Sequence, residues 1–193
     1  MATVFKHKGS CVTARLDGNE REVVRELLRQ TKALVELVDG VTGDPVEDLM
    51  ASIGKMADQQ ELTDRDPALV RLLPDGHHDD TEASAEFRSL TEHGLRQRKS
   101  ANLSIASEAL DDSDQGDELE LDLGQAQALL IALTDVRLAL GERLGLRTGD
   151  NDNDLQRDFA EVGDDVATDP RLLTALYYDF LTWMQESLTH ALL

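Results

Sequence analysis

The sequence is short of several things at once. Cysteine occurs a single time, at Cys11, so no disulfide and no thiolate metal cluster can form within one chain. Aromatic residues are 4% of the 193 positions. Aliphatic Leu and Val must therefore form most of the core, and the platforms on which bases stack are scarce. Basic residues are few as well: 19 Lys and Arg face 39 Asp and Glu, a formal charge of −20. A surface of that sign repels phosphate backbones and anionic lipid, so direct nonspecific nucleic-acid binding is not expected. No continuous apolar run is long enough to span a bilayer, and the opening "MATVFKHKGS" lacks the apolar stretch of a secretory signal. The cytoplasm is the expected compartment, with no membrane role. Phosphate loops, dinucleotide fingerprints, nucleophile elbows and H-E-x-x-H are all missing, and His7, His77, His78, His93 and His190 are scattered along the chain. A non-enzyme without a cofactor is the expectation.

What is present is helical periodicity. At 40% hydrophobic and 30% charged, the chain has the composition of one globular domain, expected over residues 1–193, that buries roughly 70% of its unfolded surface. "TVFKHKGSCVTARL" reads as a hairpin around Lys8 and Gly9, with Val4, Val12 and Ala14 or Leu16 turned inward. In "NEREVVRELLRQTKALVELVDG" the stripe Val24, Leu27, Leu28, Thr31, Leu34, Val35 and Val38 predicts an amphipathic helix stopping at Gly40. Asp44 with Pro45 and Asp66 with Pro67 mark two further helix starts, the second cut short by Pro74.

A long helix is predicted from a cap near Thr81, with Phe87, Leu90, Leu103 and Ala106 inward and a weak point at Gly94. After an acidic loop, Leu119, Leu121 and Leu123 alternate as a half-buried strand would, near 117–123. "GQAQALLIALTDVRLALGERLGL" carries Ala126, Leu129, Leu130, Leu133, Val136, Leu140 and Leu144 on one stripe ending at Gly145. The last helix starts at Asp169 and Pro170, with Leu173, Leu176, Tyr177, Phe180, Met184, Leu188 and Ala191 inward and Trp183 beside them. The predicted fold is mainly α: a single helical domain with a small antiparallel sheet, made of the N-terminal hairpin and the strand near 117–123.

Candidate chemistry is sparse. Asp150, Asp152, Asp154, Asp158 and Glu161 stand at the ligand offsets of a helix-flanked calcium loop, but Leu155 occupies the position that Gly fills there, and Arg157 replaces an apolar residue. The loop at 150–161 is read as solvated and acidic, able at most to attract divalent cations weakly. His77, His78, Asp79 and Asp80 lack the spaced partners that a zinc or nickel site needs. No metal site is expected. Arg21, Arg25, Arg29 and Lys32 form a basic stripe that could meet an acidic protein partner, although Glu22, Glu26 and Glu36 lie within helical reach and explain it as a wet face. "RQRK" at 96–99 is equally ambiguous. Arg137, near an apolar stripe, is expected to be structural and held by a packed carboxylate. Cys11 has two open roles, inert packing and a redox thiol.

"DPALVRLLPDGHHDDTEASAEFRSLTE", "ALTDVRLALGERLGL" and "YDFLTWMQESLTHALL", in that order, resemble the actinobacterial AosR-type family, associated with oxidative-stress transcriptional regulation. The likeness runs from about Val4 to Leu192, and "RLLPD" followed by "DVRLALG" is its most specific part. It implies a cytoplasmic regulator that senses oxidation through paired cysteines and acts through a sigma factor or RNA polymerase. The present chain departs from that pattern, because Cys11 has no second cysteine to pair with. A member of this kind must dimerise through Cys11, sense otherwise, or not sense redox at all. A helical interaction module or homodimer without a transcriptional role is the competing expectation.

Overall fold

The computed structural model describes residues 2–36, 65–76, 80–111, 116–146 and 169–193. Three strands and five helices occupy these residues, a mainly α fold with a small antiparallel sheet. Strands β1 (Lys6–Lys8) and β2 (Cys11–Arg15) pair with Lys8 opposite Cys11, which leaves Gly9 and Ser10 as a two-residue turn. Gly9 sits at φ 65°, the left-handed value that the first central position of a type II′ turn requires. Strand β3 (Glu118–Asp122) joins the other edge of β2, with Val12 opposite Leu121 and Ala14 opposite Leu119. These four side chains are at most 5% exposed, as the period of two demands. Val4, expected inside, is exposed, and Phe5 fills the core position instead. Leu123 is also exposed, because it opens the next helix rather than ending the strand.

Helix α1 (Gly18–Val35) begins with a reciprocal cap: Asp17 accepts from the Glu20 amide while the Glu20 carboxylate accepts from the Asp17 amide. It buries Val24, Leu27, Leu28, Thr31 and Val35. The helix ends before the expected Gly40, since Glu36 turns to extended backbone. The Val35 carbonyl accepts a hydrogen bond from Arg96 instead of continuing the helical ladder. Val38, Gly40 and the expected start at Asp44 and Pro45 lie outside the described residues. Helix α2 (Pro67–Leu72) is the expected short one, capped by Asp66 through the Ala68 amide at 2.9 Å.

Helix α3 (Thr81–Asp111) has 31 residues, roughly 46 Å at 1.5 Å per residue. Its cap is Asp80 rather than Thr81, with the carboxylate accepting from the Glu82 and Ala83 amides. Gly94 does not interrupt it. Leu103 and Ala106 are buried as expected, whereas Phe87 is 42% and Leu90 is 78% exposed. Ser84 and Arg96 lie buried on that helix instead; the inward face is partly polar, which apolar periodicity alone does not reveal.

Helix α4 (Leu123–Leu144) is the hub, packing against α1, α2, α3, β3 and a final helix α5 (Pro170–Leu192). It closes with Gly145 at φ 78°, the Leu146 amide bonding the Gly141 carbonyl and the Gly145 amide bonding that of Glu142, a Schellman ending. Its predicted stripe is only part of what it buries. Ala128, Ala132, Asp135, Ala139 and Gly141 form further buried surface, and their small size lets neighbouring helices come close. By length and composition α4 could cross a membrane. That composition has another source here, because ten of its residues are buried by the rest of the chain.

On α5 the inward face is rotated in its first half. Leu172, Ala175 and Leu181 are buried with Met184, Leu188 and Ala191, while Leu176 is exposed and Leu173, Tyr177, Phe180 and Trp183 are half-buried. Phe180 and Trp183 stack with centroids 6.1 Å apart, so the large rings line the rim of the core. The end of α5 meets the hairpin, where the Phe5 amide donates to Ser187 Oγ at 2.6 Å.

Leu133→Ala, at a fully buried site of α4, is expected to cost ~2–5 kcal/mol of unfolding free energy in urea titrations. Leu90→Ala, on an exposed site of α3, should stay within about 0.5 kcal/mol of the parent.

Candidate functional site

The four cations of the α1 stripe do not act alike. Arg21 is 4% exposed and donates to the Gly116 carbonyl at 2.8 Å. It lies three positions before Val24 and seven before Leu28, on the buried face, and so leaves the exposed stripe. Arg25, Arg29 and Lys32 remain together. With Ser104, Ser107, Glu108 and Asp111 of α3 they line an open groove of about 330 Å³.

Each of these three cations is paired within the chain. Arg25 meets Glu22 at 2.7 Å and Asp111 at 2.6 Å, Arg29 meets Glu26 at 2.6 Å, and Lys32 meets Glu36 at 3.4 Å. Hydrogen bonds from Arg29 and then Gln30 lower the Glu26 pKa to about 2. The Arg29 pair and the Lys32 pair are solvated and Arg25 is half-buried; solvated pairs of this kind contribute little to stability. Their carboxylates can therefore be exchanged for those of an incoming protein at small cost.

A second group of charges lies deeper and was not anticipated. Glu92 bridges Arg65 at 3.0 Å and Arg96 at 2.8 Å, and Arg96 also donates to the Val35 carbonyl at 3.0 Å. Lys99 meets Asp135 at 2.5 Å, with Asp135 only 2% exposed. Half of the "RQRK" cluster, Arg96 and Lys99, thus serves the interior. Its signals in the sequence were the Glu92/Arg96 spacing of four and an aspartate embedded in the α4 apolar pattern.

Burial pushes the Asp135 carboxyl above the usual carboxylate range, with Lys99 opposing. Burial also pushes Glu92 upward, but its hydrogen bonds to Arg65 and then Arg96 outweigh this and leave it lowered. The two acids consequently bend stability in opposite directions. The Asp135 contribution is full below the unfolded carboxylate pKa and is lost as pH rises through its raised folded value. The Glu92 contribution is present above that unfolded value and is lost as pH falls through its lowered one.

Cys11 lies on β2 on the side of the sheet opposite Val12, half-buried, with its Sγ 3.8 Å from Ser10 Oγ. Among the described residues no carboxylate holds Arg137, contrary to expectation. Gln185 accepts its hydrogen bond, and the guanidinium lies over the Tyr178 ring at 5.1 Å. Asp135, two residues away, is taken by Lys99. The loop at 150–161 and His77, His78 and Asp79 fall outside the described residues. Among the described residues no three His, Cys, Asp or Glu side chains converge as a metal ion requires.

Over residues 1–192 the sequence matches the family described as "Domain of unknown function (DUF2017)". The chain belongs to that family. No curated protein and no solved structure matches it. For this DUF2017 member the paired cations of α1 and the interior charges of α3 and α4 are two polar constellations among the described residues.

Lys99→Met strands a buried carboxylate and is expected to destabilise by ~3–5 kcal/mol at neutral pH. The loss should shrink as pH falls and Asp135 takes up a proton, and Lys99→Met combined with Asp135→Asn should recover much of it in urea titrations. Glu92→Gln should cost about 3 kcal/mol at neutral pH and remove the share of the parent's acid-side loss of stability that Glu92 contributes.

Proposed function

We propose that this DUF2017 chain is a non-enzymatic cytoplasmic regulatory protein that works by contacting the transcription machinery, a sigma factor or RNA polymerase. The AosR-type resemblance in "RLLPD" and "DVRLALG" supports the regulatory part. The observation that carries the contact itself is the α1–α3 groove, where Arg25, Arg29 and Lys32 stand in a row, held by pairs that are mostly solvated. An acidic segment of a partner can replace those pairs, and the excess acid elsewhere on the surface disfavours wrong, like-charged docking. With a single cysteine, any redox sensing by this chain passes through Cys11 between molecules or does not use a disulfide of its own.

A second reading, a homodimer or interaction module without a transcriptional role, is favoured by Phe87 and Leu90, exposed three positions apart on α3. The two readings differ in what is captured and in native mass.

The combined reversal Arg25→Glu, Arg29→Glu and Lys32→Glu is expected to weaken capture of polymerase or sigma factor from native extract by about tenfold or more, on the scale of ~1.4 kcal/mol per decade. Circular dichroism checks that the fold persists. Capture that returns neither component from the parent protein sinks the transcriptional reading. Native mass before and after mild peroxide, with Cys11→Ser as control, separates a covalent dimer from a structural thiol.

A further inference from the structure

Acids outnumber bases 39 to 19 in this chain; the buried or half-buried cations Arg25, Lys32, Arg65, Arg88, Arg96 and Lys99 each meet a carboxylate, and Arg21 donates to the Gly116 carbonyl. Arg137 is half-buried and meets none among the described residues. Its hydrogen bonds go to neutral groups, the Gln185 side-chain oxygen and the Tyr178 hydroxyl at 3.4 Å. Its Nε is buried with no acceptor. A desolvated guanidinium with an unused donor is costly until an anion reaches it.

The surroundings suit a carboxylate. The guanidinium carbon lies 5.1 Å from the centroid of the Tyr178 ring, a cation–π contact, and among the described residues its N–H groups donate only to neutral oxygens. Gln185 is fixed in turn by donating its amide to Thr134 Oγ1 at 2.7 Å, which holds the acceptor side toward Arg137. The Tyr178 hydroxyl supplies a further donor. The net charge of −20 does not forbid this, since at physiological salt its field fades over a Debye length of about 8 Å.

We propose that Arg137, with Tyr178 and Gln185 at the α4–α5 seam, forms a binding site for a carboxylate. The site is made by other helices than the α1–α3 groove and does not depend on the function proposed there. The carboxylate comes from a small organic acid or from a Glu side chain of a bound polypeptide, and both present the same two oxygens to the guanidinium.

The test follows the ¹⁵N–¹H signal of the Arg137 Nε–H in the full chain, assigned by its absence in Arg137→Lys. Sodium acetate and blocked N-acetyl-Glu-Leu-amide are titrated against sodium chloride and the Gln analogue at matched ionic strength. A saturable shift with acetate and peptide alike identifies a small-acid site. Saturation at several-fold lower concentration of the Glu peptide identifies a polypeptide side chain. Tyr178→Phe should weaken either response by about threefold. Gln185→Glu supplies the missing anion from within, so it should raise Tm and quench both responses. Shifts no different from chloride, or a Gln185→Glu variant that keeps the acetate response, would overturn the proposal.

Discussion

Everything in this fold leans on α4, and α4 can hold its place only because a charge within it is neutralised. The helix is surrounded by α1, α2, α3, α5 and β3, and close approach depends on Ala128, Ala132, Ala139 and Gly141. Among these small residues stands Asp135. Its carboxylate would be intolerable at such depth without Lys99, which reaches it from α3. The α3–α4 contact is therefore specified by a pair of opposite charges as well as by apolar area. A rotation or slip of α3 would leave both charges stranded.

Glu92 performs a related task about two turns before Lys99 on α3. It binds Arg65, just ahead of α2, and Arg96, whose other donor takes the Val35 carbonyl at the end of α1. Ser100 adds a hydrogen bond to Glu36 at 3.2 Å. One face of α3 thus fixes the exit from α1 and the approach to α2. The arrangement makes α3 a polar brace on that side and an apolar wall further along, at Leu103, Ala106 and Leu110.

How much of this could be read from the sequence follows from which signals are local. Caps at Asp66 and Asp169, the Gly9 turn, the Gly145 ending and the alternation of Leu119 and Leu121 depend on neighbours in the chain, and each is found in the structure. Faces that depend on the partner element were harder. On α5 two stripes one residue apart are both apolar, and packing against α4 selects Leu172 and Ala175 over Leu173 and Leu176. Phe87 and Leu90 fit an inward stripe by period, yet the described fold puts nothing over Leu90. The α1 cations were recognised as a row, but Arg21 was not seen to leave it, because its acceptor is the Gly116 backbone 95 residues away. The Glu92–Arg96 pair sits within α3 at a spacing of four, but Glu92 with Arg65 and Asp135 with Lys99 join segments distant in the chain, and no spacing rule within one helix predicts them.

The order of the strands carries a kinetic consequence. Strand β2 cannot complete its sheet until β3 exists, more than a hundred residues later along the chain, since Val12 pairs with Leu121. Phe5 waits longer still, because Ser187 lies 182 positions away. During synthesis the inner side of the hairpin lacks its full cover until β3 and α5 have both emerged. The docked hairpin thus joins the first residues of the chain to its middle and to its last helix, a seal that reports that both halves have found each other.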